Sequence, residues 1–91
     1  TLQKRVHGSV WKIDSGEKNY IIVDLKDFGF SGTIGSFPCI QAMAQVTSDA
    51  QNVNADVYIT GYKVENTNQI TFFLNRSFTG GLTIAASMNL Q

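Results

Sequence analysis

Seven carboxylates (Asp14, Glu17, Asp24, Asp27, Asp49, Asp56 and Glu65), one histidine (His7) and one cysteine (Cys39) are the acids, base and thiol that this 91-residue chain offers to catalysis. The carboxylates fall mostly in turn-like segments, and no two have the spacing of a general acid and its base. No Gly-x-Ser-x-Gly elbow, phosphate loop or His-Glu-x-x-His motif occurs, so His7 would serve any acid/base scheme alone. A single cysteine cannot close an internal disulfide, and one His with one Cys cannot complete a four-ligand zinc site. Cys39 therefore reads as a small packed hydrophobe behind Pro38, and His7 as a surface residue. Gly29, Gly32 and Gly35 lack the strand and helix context of a nucleotide loop. Asn75-Arg76-Ser77 fits a glycosylation sequon, which matters only in a secreted eukaryotic chain. The expectation is a protein that is not an enzyme and uses no cofactor or metal.

Recognition chemistry is better supplied. Asp49, Gln51, Asn52 and Asn54 lie close together, as do Glu65, Asn66 and Asn68, and Arg76, Ser77 and Phe78 end the series. Amides, hydroxyls and carboxylates match the paired donors and acceptors of sugar hydroxyls, and an aromatic ring covers the apolar face of a pyranose. Asparagine also simply makes turns, because it tolerates left-handed backbone. Arg76 and Phe78 are more pointed, since turn geometry requires neither. Trp11 reads either as a sugar platform or as a core or interface residue.

The elements that must position these groups are strands. Val10 to Ile13 and Tyr20 to Leu25 are rich in β-branched and aromatic residues, and the second run alternates with Ile21, Val23 and Leu25 on one face. Ile40, Ala42, Ala44 and Val46 alternate with Gln41, Met43, Gln45 and Thr47, and Ala55-Val57-Ile59 alternates with Asp56-Tyr58-Thr60. Ile70, Phe72 and Leu74 share a face, and Leu82, Ile84, Ala86, Met88 and Leu90 share another. Turn chemistry separates the runs at Asp14–Glu17, Glu65–Asn68 and Thr79-Gly80-Gly81. Asp14–Glu17 reads as a hairpin or a corner. The stretch from Lys26 to Phe37 reads as a loop whose three phenylalanines pack over an open end. Six short strands, one proline and no amphipathic helix predict an all-β, antiparallel six-stranded β-sandwich.

Charge bounds the partners. Seven basic and seven acidic residues cancel, giving no electrostatic reason to hold a nucleic acid or an anionic membrane. No run of about eighteen apolar residues occurs, so membrane insertion by a helix is not expected. A domain of this size buries only about 60 to 65% of its unfolded surface, which favours a partner subunit in the absence of staples. Gln41, Gln45, Thr71, Thr83, Ala85 and Ser87 stand where a solvated face usually carries Lys and Glu, which marks a candidate subunit interface.

The order of these features resembles a module of phage tail-fibre tips and of the H-type lectins. The parts are Gly8 to Gly16, Tyr20 to Leu25, Phe37-Pro38-Cys39-Ile40, Asn54-Ala55-Asp56-Val57, Gln69 to Leu74 and Leu82 to Ala86. The likeness is one of layout, from about Arg5 onward. It implies a homotrimer with sugar bound between protomers, which places Asp56 and Arg76-Ser77 at the family's ligand positions. Asp56 stands where the lectins carry a basic residue, and their long polar insertion after the first strand is missing, so their amino-sugar preference does not transfer.

The sequence thus leads to a receptor-binding head at a virion tail-fibre tip, extracellular, meeting a cell-surface glycan or other host receptor. Asp56, Arg76 and Phe78 would carry ligand binding, with Asn52 and Asn54 beside them. Residues 1–7 would approach from a preceding shaft, and 8–91 would form the head. The alternative is a trimerisation or capping domain without ligand.

Overall fold

The computed structural model describes residues 3–15, 17–46 and 57–91. Its described elements are strands β1 (Lys4–Ser15), β2 (Tyr20–Asp24), β3 (Gln41–Val46), β4 (Ile59–Val64), β5 (Gln69–Leu74) and β6 (Thr79–Leu90), with one short 3-10 turn at Leu25–Phe28. They form two antiparallel three-stranded sheets, β1-β6-β3 and β2-β5-β4. The chain is all-β, as its period-two alternation dictates.

In the first sheet β1 and β6 pair along their full length, from Lys4 opposite Leu90 to Ser15 opposite Thr79, and β3 lies on the other side of β6. In the second sheet β5 is central, with a register shift between Ile59 and Gly61 where β4 bulges. β1 and β2 sit in different sheets, so they do not form a hairpin with each other, and Asp14 and Ser15 of the expected turn belong to β1. β4 and β5 do form a hairpin, whose turn is fixed by the Asn68 N–H donating to Asn66 Oδ1 at 2.8 Å.

Three boundaries differ from the sequence reading. Lys4 to His7, expected in an approach segment, make up the first part of β1, where Val6 packs against the core. Thr79-Gly80-Gly81, expected as a turn, opens β6 instead, because Ser15, Asp14 and Ile13 pair with these residues. β4 begins at Ile59 rather than in the 55–57 run, whose first two residues lie outside the described part.

The two sheets share one cluster of buried residues, including Val23 of β2, Ile70, Phe72 and Leu74 of β5, and Leu82, Ile84, Met88 and Leu90 of β6. Each large side chain fully buried there stabilises the fold by about 1.5–3 kcal/mol relative to leaving it in water. The loop phenylalanines divide. Phe28 is buried edge-on against Phe72, Phe30 stacks on Phe28 at 5.1 Å, and Phe37 is 72% exposed.

Side chains of β1 help to hold the long β2–β3 connection to the first sheet. Lys12 meets Asp27 Oδ2 at 3.0 Å, which fixes the 3-10 turn to β1. Arg5 donates from Nη1 to the Cys39 carbonyl at 2.7 Å and to Asn89 Oδ1 at 3.2 Å, and from Nη2 to Gln41 Oε1 at 3.2 Å. Cys39 is exposed and has φ of 48°, in the left-handed region that a residue with a Cβ adopts only under constraint. The Arg5 bond to its carbonyl supplies part of that constraint.

Candidate functional site

Strand alternation that buries one face of β1-β6-β3 must present the other. β1 presents Ser9, Trp11 and Ile13, β3 presents Gln41, Met43 and Gln45, and β6 presents Thr83, Ala85 and Ser87. The register sets these in cross-strand rows: His7, Ser87 and Gln41; then Ser9, Ala85 and Met43; then Trp11, Thr83 and Gln45. Trp11 is 54% exposed, Ile13 70% and Met43 76%.

The central strand carries small residues between taller ones on its neighbours, so the face is a trough between two ridges. One end of it is a shallow groove of about 670 Å³ whose lining includes His7, Ser9, Gln41, Met43, Ala85 and Ser87. Among the described residues of this face the formal charge is that of Arg5, and its guanidinium is turned onto the Cys39 carbonyl, Asn89 and Gln41. Three large apolar side chains with almost no charge around them are what a surface covered by another protein looks like.

The opposite sheet also exposes apolar side chains, Ile22, Tyr62 and Val64, but sets charge among them. Thr71, which sequence reading grouped with the uncharged face, lies in β5 of the other sheet and is buried. Its hydroxyl donates to Glu65 Oε1 at 2.8 Å. Lys63 reaches the same carboxylate at 3.8 Å, and Tyr20 packs edge-on against Phe73 with Lys18 Nζ 5.4 Å from its ring centroid. The charged groups Lys18, Lys63 and Glu65 there are what the outer face of β1-β6-β3 has few of.

Of the sequence-predicted ligand residues, Arg76 and Phe78 lie in the β5–β6 connection, while Asn52, Asn54 and Asp56 lie outside the described residues. The Arg76 guanidinium stands 5.9 Å from the Phe78 ring centroid, and Arg76 Nη1 donates to the Ser77 carbonyl at 3.1 Å. Phe78 is half-buried and packs against the core, so part of its ring serves the fold. Neighbouring Asn75 accepts the Tyr58 N–H on Oδ1 at 2.9 Å and donates its own N–H to the Tyr58 carbonyl at 3.0 Å, which ties the entry to β4 onto the end of β5.

A second, polar cleft of about 490 Å³ opens at the other end of β5, between the 3-10 turn and the β4–β5 turn. Its walls include Asp24, Lys26, Phe30, Asn66, Asn68 and Gln69. The sequence marked Asn66 and Asn68 as sugar-compatible but gave no sign that the β2–β3 connection would supply the facing wall.

Among the described residues Asp27 is the titrating group with a clear perturbation. The Lys12 hydrogen bond holds its carboxyl below the usual value against the opposing desolvation, with the Lys12 charge, the Asp24 N–H and the Lys26 charge adding to the lowering. That carboxylate is structural, tying the turn to β1. Among the described residues no group of three or more His, Cys, Asp or Glu is placed to hold a metal ion, and no helix is long and apolar enough to cross a membrane. Comparison of the chain with family models, with curated proteins and with solved structures found no match.

Proposed function

We propose that this chain is a non-catalytic recognition head, a six-stranded β-sandwich that assembles as a homotrimer through the bare face of β1-β6-β3 and binds a cell-surface saccharide or other host receptor at a fibre tip. The observation that carries the assembly is the exposure of Trp11, Ile13 and Met43 on a face almost without charge. A second copy of the same face is the fitting occupant, because the small residues of β6 form a trough that the Met43 or Trp11 ridge of a neighbour can enter. Three weak sites on one trimer would gain strength by multivalency rather than by any single tight pocket.

The assembly-only alternative draws on one observation: Phe78 is partly committed to the core and has Arg76 over its ring. Two substitutions separate the readings. Ala85→Lys introduces a charge in the middle of the trough and is expected to yield monomers that keep the fold. Arg76→Ala leaves the trimer intact under both readings; loss of attachment to host cells supports a recognition role for the β5–β6 connection, and unchanged attachment removes Arg76 from the site. Trimers that persist in Ala85→Lys would overturn the proposed interface.

A further inference from the structure

The cleft between the 3-10 turn and the β4–β5 turn lies on neither the proposed subunit face nor the β5–β6 connection. We infer that it is a binding site for a neutral, hydroxyl-rich ligand, a short saccharide; this inference rests on the reading of the chain as a recognition head and names the site and ligand class that the reading leaves open.

Preorganisation comes first. The two walls are joined by backbone hydrogen bonds: the Leu25 N–H donates to the Asn68 carbonyl at 2.8 Å, and the Ile34 N–H to the Thr67 carbonyl at 2.9 Å. Thr33 is tied in turn to Gln91, donating to its carbonyl at 3.2 Å and accepting its N–H at 2.9 Å. The cleft therefore needs no rearrangement to exist, and its volume of about 490 Å³ lies within the range of small-molecule sites, about 300–1,000 Å³.

Next is the supply of polar groups. Asn66 Nδ2 donates to Gln69 Oε1 at 3.2 Å, which orients both amides and leaves the Gln69 NH₂ outside that bond. Asn68 has its main chain engaged on both sides, while its side-chain amide and the Lys26 ammonium have no hydrogen bond or ion pair among the described residues. The backbone places these donors and acceptors around the cleft, the Asn66–Gln69 pair is oriented by its own bond, and the Asn68 and Lys26 groups are not yet used, which suits a ligand of many hydroxyls.

Charge and shape then select the class. Asp24 and Lys26 cancel, which disfavours both an anion and a cation as the main ligand. Phe30 adds an apolar wall, kept in place by stacking on Phe28 at 5.1 Å, to meet the C–H face of a sugar ring.

The test is a heteronuclear NMR titration of the isotope-labelled, assembled protein with glucose, galactose, N-acetylglucosamine and lactose, and with sodium sulfate as the anionic control. The expected result is saturable shifts of the Asn66, Asn68 and Gln69 side-chain amides with at least one neutral sugar and none there with sulfate. Asn68→Ala and Lys26→Gln, each checked for an unchanged spectrum elsewhere, are expected to weaken that binding about tenfold, the loss of roughly one ligand hydrogen bond to each. Shifts with sulfate alone, or no shifts with any sugar, overturn the cleft proposal. Shifts confined to Arg76 and its neighbours also overturn it while leaving the recognition reading standing, and the solution mass judges the assembly separately.

Discussion

Trp11 lies across Gly81: a Cβ added to the glycine would stand 2.7 Å from Trp11 Cζ2 and 2.8 Å from Nε1. The indole thus fills the outer face of β6 at the one place where β6 has no side chain to give. Gly81→Ala must push the ring off the strand. The expected cost is about 1–3 kcal/mol, the usual range for overpacking. A changed Trp11 fluorescence spectrum alongside a lower denaturation midpoint checks it; an unchanged spectrum would mean that the ring does not rest there.

Arg5 gathers the Cys39 carbonyl, Asn89 and Gln41 onto one guanidinium. Arg5→Ala is expected to cost about 1–2 kcal/mol, since the bonds are charge-assisted but exposed. The loss should be local. Amide hydrogen exchange should accelerate around Cys39 and Gln41 and stay slow in β5, and uniform acceleration would refute the local role.

The Lys12–Asp27 contact gives a pH dependence with a definite sign. Because the folded carboxyl titrates below its usual value, the folded state favours the carboxylate. Its stabilisation is complete above the unfolded pKa of about 3.9 and is lost as pH falls through the lowered folded value. Asp27→Asn should therefore be less stable than the parent near neutrality, with the gap closing as the pH is taken down through that window. Denaturation curves at a series of pH values measure the gap, and a gap that does not change with pH would contradict the assignment.

Phe72 is fully buried and meets Phe28 edge-on. Phe72→Ala is expected to cost about 3–5 kcal/mol, whereas Ile22→Ala, on the outer face of the same sheet and 49% exposed, should cost far less. Chemical denaturation of the pair checks whether the core lies between the sheets as described. Equal losses would not fit that arrangement.

How much of this was legible in the sequence follows from what period two can and cannot encode. Ile70, Phe72 and Leu74, and Leu82 through Leu90, announced their buried face because every second residue is apolar. Gly80 and Gly81 misled, because glycine marks a turn locally, while here pairing with β1 holds both in β6 and the Trp11 ring lies over Gly81. Val6 is a lone apolar residue in a polar stretch, so the first part of β1 had no local signal; pairing with Met88 and its neighbours recruits it. The bare face was legible in Gln41, Gln45 and Ala85, but Thr71 was placed there wrongly, since alternation says which residues share a side of a strand and not which sheet the strand joins. Trp11 and Ile13 were the missing members, and register alone brings them beside Thr83 and Gly81. The polar cleft was half legible for the same reason: Asn66 and Asn68 mark their own turn, whereas Asp24 and Lys26 join it only through the fold.

The central claim is that the face bearing Trp11, Ile13 and Met43 is covered by copies of this chain. Light scattering of the unmodified protein over a range of concentrations tests it most directly. The account predicts a mass about three times the 10.0 kDa of the chain. A mass of one chain, unchanged from the lowest concentration to the highest, would contradict it.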